Sequence, residues 1–381
     1  MFALDLTPEQ QHLRDLARSL SRTELIPVAA RYDANETFPD DFCRAAWGLG
    51  LATLNIPKAF GGAGLGVFDS ILMLDEISYG CAGISSPIGS NIFAATPLVL
   101  AGNDAQKREY LGWLVRECSF AALGLAGVDA GIRDGHPPIT YRRAGNERII
   151  NGTQAFVWNG GVANWFTVFA ADAQRPDDGL SCFVLRSDLQ GVRRTPVRNK
   201  FGRRAADVAQ VRFEEVVIRN DALVGDEHHA REIAAATLDR LRVLGAAMSL
   251  GIARRALDEA SAYALERKQF GQPIANFQAI QSMLADMKIA IEAARLLTYQ
   301  AGWSIDHGRP ASVAASCAAS FTTDTAMRVT TDAVQIFGGY GYMKDFPVEK
   351  LMRDAKASHI PGDSPQTQRA LVARHVLAAF T

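Results

Sequence analysis

Apolar and polar positions from Thr7 to about Phe120 follow helical spacing, which predicts a helical first third of the chain. Thr7, Pro8 and Gln10 stand as N-cap, first and third positions of a helix. The hydroxyl can accept an orphan backbone N–H and proline needs no partner, so a helix is predicted to start at Pro8. Residues 77–103 carry no charge and are long enough to span a bilayer, but Pro87, Pro97, Asn91 and several Ser and Gly interrupt them. Buried turns and short helices are predicted there. Between about 121 and 225 the period changes to short β-branched and aromatic runs, Trp165–Ala171, Ser181–Leu185 and Val211–Ile218, with Asn151-Gly152 and Pro196 as punctuation. Val211 and Phe213 alternate with Arg212 and Glu214, the pattern of a half-buried strand. Helical spacing returns after about 230, where Ile280, Leu284, Met287, Ile291 and Ala294 form the stripe of a bundle helix. Arg309-Pro310 ends that helix, and another run from about Val313 breaks at Gly338-Gly339. The predicted class is α+β, mainly α: a helical domain over 1–120, a β domain over 121–230 and a four-helix bundle over 231–381.

Composition narrows the ligand. With 381 residues, 48% of them apolar, the chain is long enough for two or three packed domains. Its 40 Lys and Arg balance 41 Asp and Glu, which leaves no electrostatic footprint for nucleic acid or an acidic membrane and points to small or buried ligands. Cys43, Cys81, Cys118, Cys182 and Cys317 are odd in number and widely separated. They give no disulfide framework and no metal-ligand spacing, and read as buried thiols of a reducing cytosol. Asp5, Glu9, Arg14, Asp15 and Arg18 occupy the place where a signal peptide would need an apolar stretch. The glycine-rich stretch from Phe60 to Gly66 lacks full phosphate-loop spacing and a preceding strand, so it reads as a loop.

Candidate chemistry concentrates in the last domain. Arg267-Lys268-Gln269-Phe270-Gly271 is followed by Phe277-Gln278, Leu284-Ala285-Asp286-Met287, the segment Gln335 to Tyr342 and Arg353-Asp354-Ala355. Arg267 can offer a pyrophosphate a planar fork of donors, while Phe270 and Gln278 can offer an adenine a flat apolar face and an amide edge. Gly338 and Gly339 allow close approach of backbone to phosphate. These motifs, with Leu6 to Gln10, Gly61-Gly62 and Asn151-Gly152, strongly resemble acyl-CoA dehydrogenases over essentially the whole chain. The resemblance implies a β-barrel-like middle domain and a homotetramer, a dimer of dimers, with FAD bound across a subunit interface. Arg267, Phe270 and Gln278 would serve the FAD of the neighbouring chain, and Gln335, Gly338, Gly339, Phe156, Trp158, Ser364 and Gln366 would complete the cofactor site. It further implies oxidation of an acyl thioester, a glutamate taking the α-proton while a β-hydride passes to flavin.

Several positions depart from that pattern. The usual glutamate falls on Gly362, and the alternative helical position falls on Leu241. Asp363, His359 and Asp129 are the nearby groups that could substitute. A flavin-facing threonine and serine become Ala126 and Ile132, and the residue expected to bond flavin N5 becomes Trp158. Asp239 and Arg242 match the segment that lines the thioester arm, and pantetheine is common to acyl-CoA and acyl carrier protein. The expected function is an FAD-dependent oxidoreductase acting on one of these thioesters with an altered base. The alternatives are a catalytically silent subunit of a heterotetramer with a homologue, and non-redox chemistry on a thioester.

Overall fold

The computed structural model describes residues 5–125, 138–176, 179–359 and 364–380. Its first helix, α1 (Pro8–Leu20), starts where the capping signal predicts: the Gln10 amide donates to Thr7 Oγ1 at 3.2 Å and the Thr7 amide to Gln10 Oε1 at 3.1 Å. Two shorter helices, α2 (Ala29–Asn35) and α3 (Asp40–Gly48), lead to the long α4 (Val67–Ala101). Here the predicted turns and short helices are corrected. Residues 77–101 are helical, and the one departure is a kink at Cys81, where φ is −166° and ψ 110°. Pro87 and Pro97 lie within the helix, and around them Ser86, Ser90 and Thr96 hydroxyls donate to carbonyls four residues back, while Asn159 Nδ2 donates to the Pro87 carbonyl at 3.0 Å. Although α4 is long and apolar enough to cross a membrane, 78% of its most apolar window is buried within the fold. It also carries buried Asp75, Glu76 and Asn91, as a core helix does.

Strands β1 (Ala121–Gly124), β2 (Ile139–Ala144), β3 (Glu147–Trp158), β4 (Trp165–Asp172), β5 (Leu180–Arg186), β6 (Val192–Pro196), β7 (Val208–Arg219) and β8 (Leu223–Val224) form one sheet. Its order is β6-β7-β3-β2-β4-β5-β8, with β1 parallel to β4. Val211, Phe213, Val216 and Ile218 are buried while Arg212 and Arg219 face out, as the alternation predicts. Asn151-Gly152 is a further correction: it is no turn but a bulge inside β3, where register shifts between Ile150 and Gly152 and Gly152 takes φ 134°. A Cβ there would sit 2.2 Å from the Pro138 carbonyl oxygen, so only glycine fits. Beside the sheet, Glu227 accepts from Arg148 Nε (3.0 Å) and Nη2 (3.1 Å) and from Arg143 Nε (3.1 Å), tying the β2–β3 hairpin to the connection that follows β8.

The carboxy-terminal helices are α5 (Arg231–Glu266), α6 (Gln278–Asp306), α7 (Ser312–Phe337), α8 (Val348–Ala357) and α9 (Pro365–Ala378). Met287, Ile291 and Ala294 of the predicted α6 stripe are buried, with Ile280 and Leu284 packed partly buried beside them. Helix α5 packs on α4, α6, α7 and α8, so it is the hub joining the two helical regions. Cys43, Cys81 and Cys182 are buried, but Cys118 and Cys317 are only half-buried, contrary to the reading of all five as core thiols. Burial pushes the Cys43 and Cys182 thiols up, away from reactive thiolate.

Candidate functional site

A cavity opens where the end of β3 faces α4, α5 and the start of the α8–α9 connection. The strand reaches it through a second bulge, between Gln154 and Val157, with Phe156 at φ 54°. That extra residue brings Ala155 to the cavity together with Gln154, Phe156 and Trp158. Phe156 is 57% exposed, whereas Gln154 is buried and its Oε1 has no hydrogen-bond donor among the described residues. From α5 come Leu238, Leu241 and Arg242. Arg242 and Asp239 are both buried: Nη1 donates to Asp239 Oδ1 at 2.9 Å, and Ser312 Oγ donates to Oδ2 at 2.6 Å. Arg242 faces the cavity, with Asp239 holding it from behind.

Arg203, like Gln154 and Gln368, is a cavity residue that was not found in the sequence. Arg203 is 4% exposed and has a left-handed backbone, φ 48°. Its amide donates to Asp354 Oδ1 at 2.5 Å, Nη2 donates to Ser358 Oγ at 2.6 Å, and the guanidinium lies 5.8 Å from the Trp158 ring centre. Gly202 makes this possible, because a Cβ there would lie 1.9 Å from the Arg353 carbonyl oxygen. Burial pushes the guanidinium down to about 10, with Asp354 opposing the shift, so the cation persists at neutral pH. The only sequence signal was a pair of adjacent arginines after a glycine, and nothing in it said which one would be buried.

Among the described residues that line the cavity, the ionisable side chains are Arg203 and Arg242, and none is a carboxylate or imidazole. Leu241, at one of the two expected base positions, contributes an apolar wall. His359 does not line the cavity: its Nε2 lies 3.3 Å from Asp324 Oδ1 on α7, while Arg369 holds Oδ2 of the same carboxylate. Gly362, Asp363, Ala126, Asp129 and Ile132 lie outside the described residues. Ser364 caps α9, accepting from the Thr367 amide at 3.2 Å, and Gln366 is exposed. It is Gln368, two residues further on, that reaches the cavity wall.

The remaining predicted residues gather elsewhere. Arg267, Gly338 and Gly339 line an open groove with Tyr263, Phe337 and Tyr340, the Arg267 guanidinium standing 5.7 Å from the Tyr340 ring centre. Phe270 and Gly271 join two short antiparallel strands with φ 50° and 80°, the backbone of a tight hairpin turn. The turn holds the Phe270 ring 93% exposed, edge-on to Phe277 at 6.3 Å. Gln278 opens α6 and Gln335 lies in the last turn of α7, both exposed. None of these residues lines the cavity.

Comparison with known proteins agrees along the whole chain. Residues 7–117 match the N-terminal domain of acyl-CoA dehydrogenases, 126–216 the middle domain and 231–377 the C-terminal domain. A short-chain-specific acyl-CoA dehydrogenase of Clostridium acetobutylicum is 36% identical over 370 residues, covering 97% of this chain and 98% of that one. Among solved structures, butyryl-CoA dehydrogenase from Megasphaera elsdenii superposes with a TM-score of 0.93 at 33% identity, covering 99% of this chain and 100% of that one. The prolyl acyl carrier protein oxidase AnaB gives 0.92 at 27% identity over 98% and 100%. With all three domains matched in order and a relative this similar from end to end, the chain belongs to the acyl-CoA dehydrogenase family.

Proposed function

We infer that the chain is an FAD-dependent oxidoreductase acting on an acyl thioester, of CoA or acyl carrier protein, whose α-proton is removed by a group other than the usual glutamate. The observation that carries this reading is a buried, mainly apolar cavity whose described walls retain the β3 segment but hold no carboxylate. The residues fit a flavin dinucleotide in two parts. In the cavity, Gln154 Oε1, which meets no donor among the described residues, is an acceptor for a ring N–H, with Phe156 as a flat apolar neighbour. On the outer face, Arg267, Phe270 and Gln278 would hold the nucleotide half, with Gln335, Gly338 and Gly339 beside them. When bound, FAD supplies a two-electron acceptor for the β-hydride of the thioester.

The chain's own residues do the rest. Leu238, Leu241 and Trp158 exclude water from the acyl group, and the Arg242–Asp239 pair is placed to meet pantetheine amides. Leu241 has no lone pair to take a proton, so the base must come from another group; Asp363 is the candidate adjacent to the usual position. Loss of a positioned base costs about 10²- to 10⁴-fold in rate. Because Phe270 and its companions project away from the cavity of their own chain, the same reading includes a homotetramer in which they serve a neighbour's FAD. A cytoplasmic location belongs to it as well, supported by five cysteines that form no disulfide.

The visible spectrum of the purified protein, followed by anaerobic addition of acyl thioesters of several lengths, tests the proposal. Flavin bands that bleach on thioester addition are expected. A colourless protein that takes up no added FAD overturns it.

A further inference from the structure

The Arg242 guanidinium reaches the cavity wall from α5, and two further groups set its direction there. Asp239 stands three residues earlier on the same helix, so the two side chains meet on one face. The carboxylate divides its oxygens: Oδ1 takes Arg242 Nη1 at 2.9 Å and Oδ2 takes Ser312 Oγ at 2.6 Å. Ser312 is the first residue of α7, lies 73 positions from Asp239 along the chain, and does not line the cavity. A carboxylate turns readily about its terminal torsion, and an arginine side chain has several rotatable bonds, so an Asp–Arg pair within one helix does not by itself fix a direction. The Ser312 hydroxyl pins one oxygen and leaves the other for Arg242. Ser312 also opens a 26-residue helix, whose positive end favours the ionised carboxylate. Asp239 is 8% exposed and Arg242 6%, so bulk water does little to replace a lost partner.

We propose that Ser312 is a positioning residue for thioester binding: acting through Asp239, it holds the Arg242 guanidinium ready for the pantetheine arm. The proposal rests on the thioester reading above and adds to it a residue that never touches the ligand. A donor fork fixed before the ligand arrives has lost its rotamer freedom during folding, so that loss does not count against binding. Without the Ser312 hydroxyl, Asp239 Oδ2 loses its donor in a buried place, the carboxylate turns to share Arg242 between its two oxygens, and the guanidinium shifts from its position at the wall. Threonine at this position keeps the hydroxyl, whereas alanine removes it and little else.

The test is calorimetric titration of the purified holoprotein with butyryl- and octanoyl-pantetheine, continued with whichever the wild type binds more tightly. The proteins compared are the wild type, Ser312→Ala, Ser312→Thr, Arg242→Gln and the double variant Ser312→Ala with Arg242→Gln. Ser312→Ala is expected to weaken binding about fivefold or more while FAD retention stays at the wild-type level, and Ser312→Thr to recover most of the affinity. In the Arg242→Gln background the alanine substitution should weaken binding no further, because a group acting through Arg242 then has nothing left to position. Wild-type affinity in Ser312→Ala, or an equal loss in both backgrounds, overturns the proposal and leaves the thioester reading standing. A fall in FAD retention that parallels the lost affinity also overturns it, marking Ser312 as structural. Binding of neither thioester to the wild-type holoprotein sinks both. Should Arg242→Gln fail to fold or bind too weakly to titrate, the alanine and threonine variants still decide: no loss with alanine, or a loss that threonine does not recover, refutes the assignment.

Discussion

Trp158 is the residue on which the cavity's chemistry turns. Its indole stands where a small hydroxyl side chain is expected, fills more volume, and lies under the Arg203 guanidinium. Overfilling a packed site typically costs about 1–3 kcal/mol. Trp158→Thr is therefore expected to tighten FAD binding at least about fivefold, read by titration of the apoprotein with FAD; unchanged or weaker binding would refute the steric account. Trp158 and Leu241 could be singled out in the sequence because each falls at a fixed offset from a motif, and both line the cavity. Arg203 was not singled out. Arg203 and Arg204 are chemically identical in the sequence, and it is the close approach of Gly202 to the Arg353 carbonyl, with the bonds of Arg203 to Asp354 and Ser358, that sets one of them inward. Arg204, by contrast, donates to the Asp33 carbonyl at 2.9 Å and pairs with Glu36 at 2.8 Å.

At the scale of elements, helix starts and alternating strands were readable, and long-range rescue of local defects was not. Thr7-Pro8-Gln10 closes its own hydrogen bonds within four residues, so the sequence contains the whole argument for the start of α1. In α4 the prolines and glycines argue locally for a break, yet surrounding elements bury the helix and it continues, with Asn159 just beyond β3 donating to the Pro87 carbonyl. Glu227 is another long-range tie. Burial alone would raise its pKa, but the hydrogen bonds from Arg148 and Arg143 outweigh it and hold the carboxyl below its ordinary 4.5. A carboxylate with a lowered folded pKa contributes stability that is complete above the ordinary value and is lost as pH falls through the folded one. Glu227→Gln should thus destabilise the protein by about 2 kcal/mol at neutral pH. The gap from wild type should narrow as pH drops below about 4.5. Denaturant unfolding of both proteins from pH 7 to 3 measures this, and a gap that stays constant would contradict it.

For the whole molecule, the predicted cofactor residues divide between an inner cavity and an outer face. The exposed Phe270 ring on its hairpin turn touches Phe277 at its edge and leaves its faces open, as the proposed nucleotide contact requires. Arg267→Gln is expected to weaken FAD retention about tenfold or more, measured by flavin release on dilution, while the apoprotein melts at the wild-type temperature. A large fall in apoprotein stability would instead mark Arg267 as structural. The sequence by itself determined the order of the helical and β regions and the family motifs, because periodicity and motif spacing are local properties of the chain. Only the tertiary structure decided that α4 runs on through its prolines, that Gln154 Oε1 meets no donor among the described residues, and that Arg203 is buried at the cavity wall. Each of those depends on which distant groups come within hydrogen-bond reach, and distance through space is not written in distance along the chain.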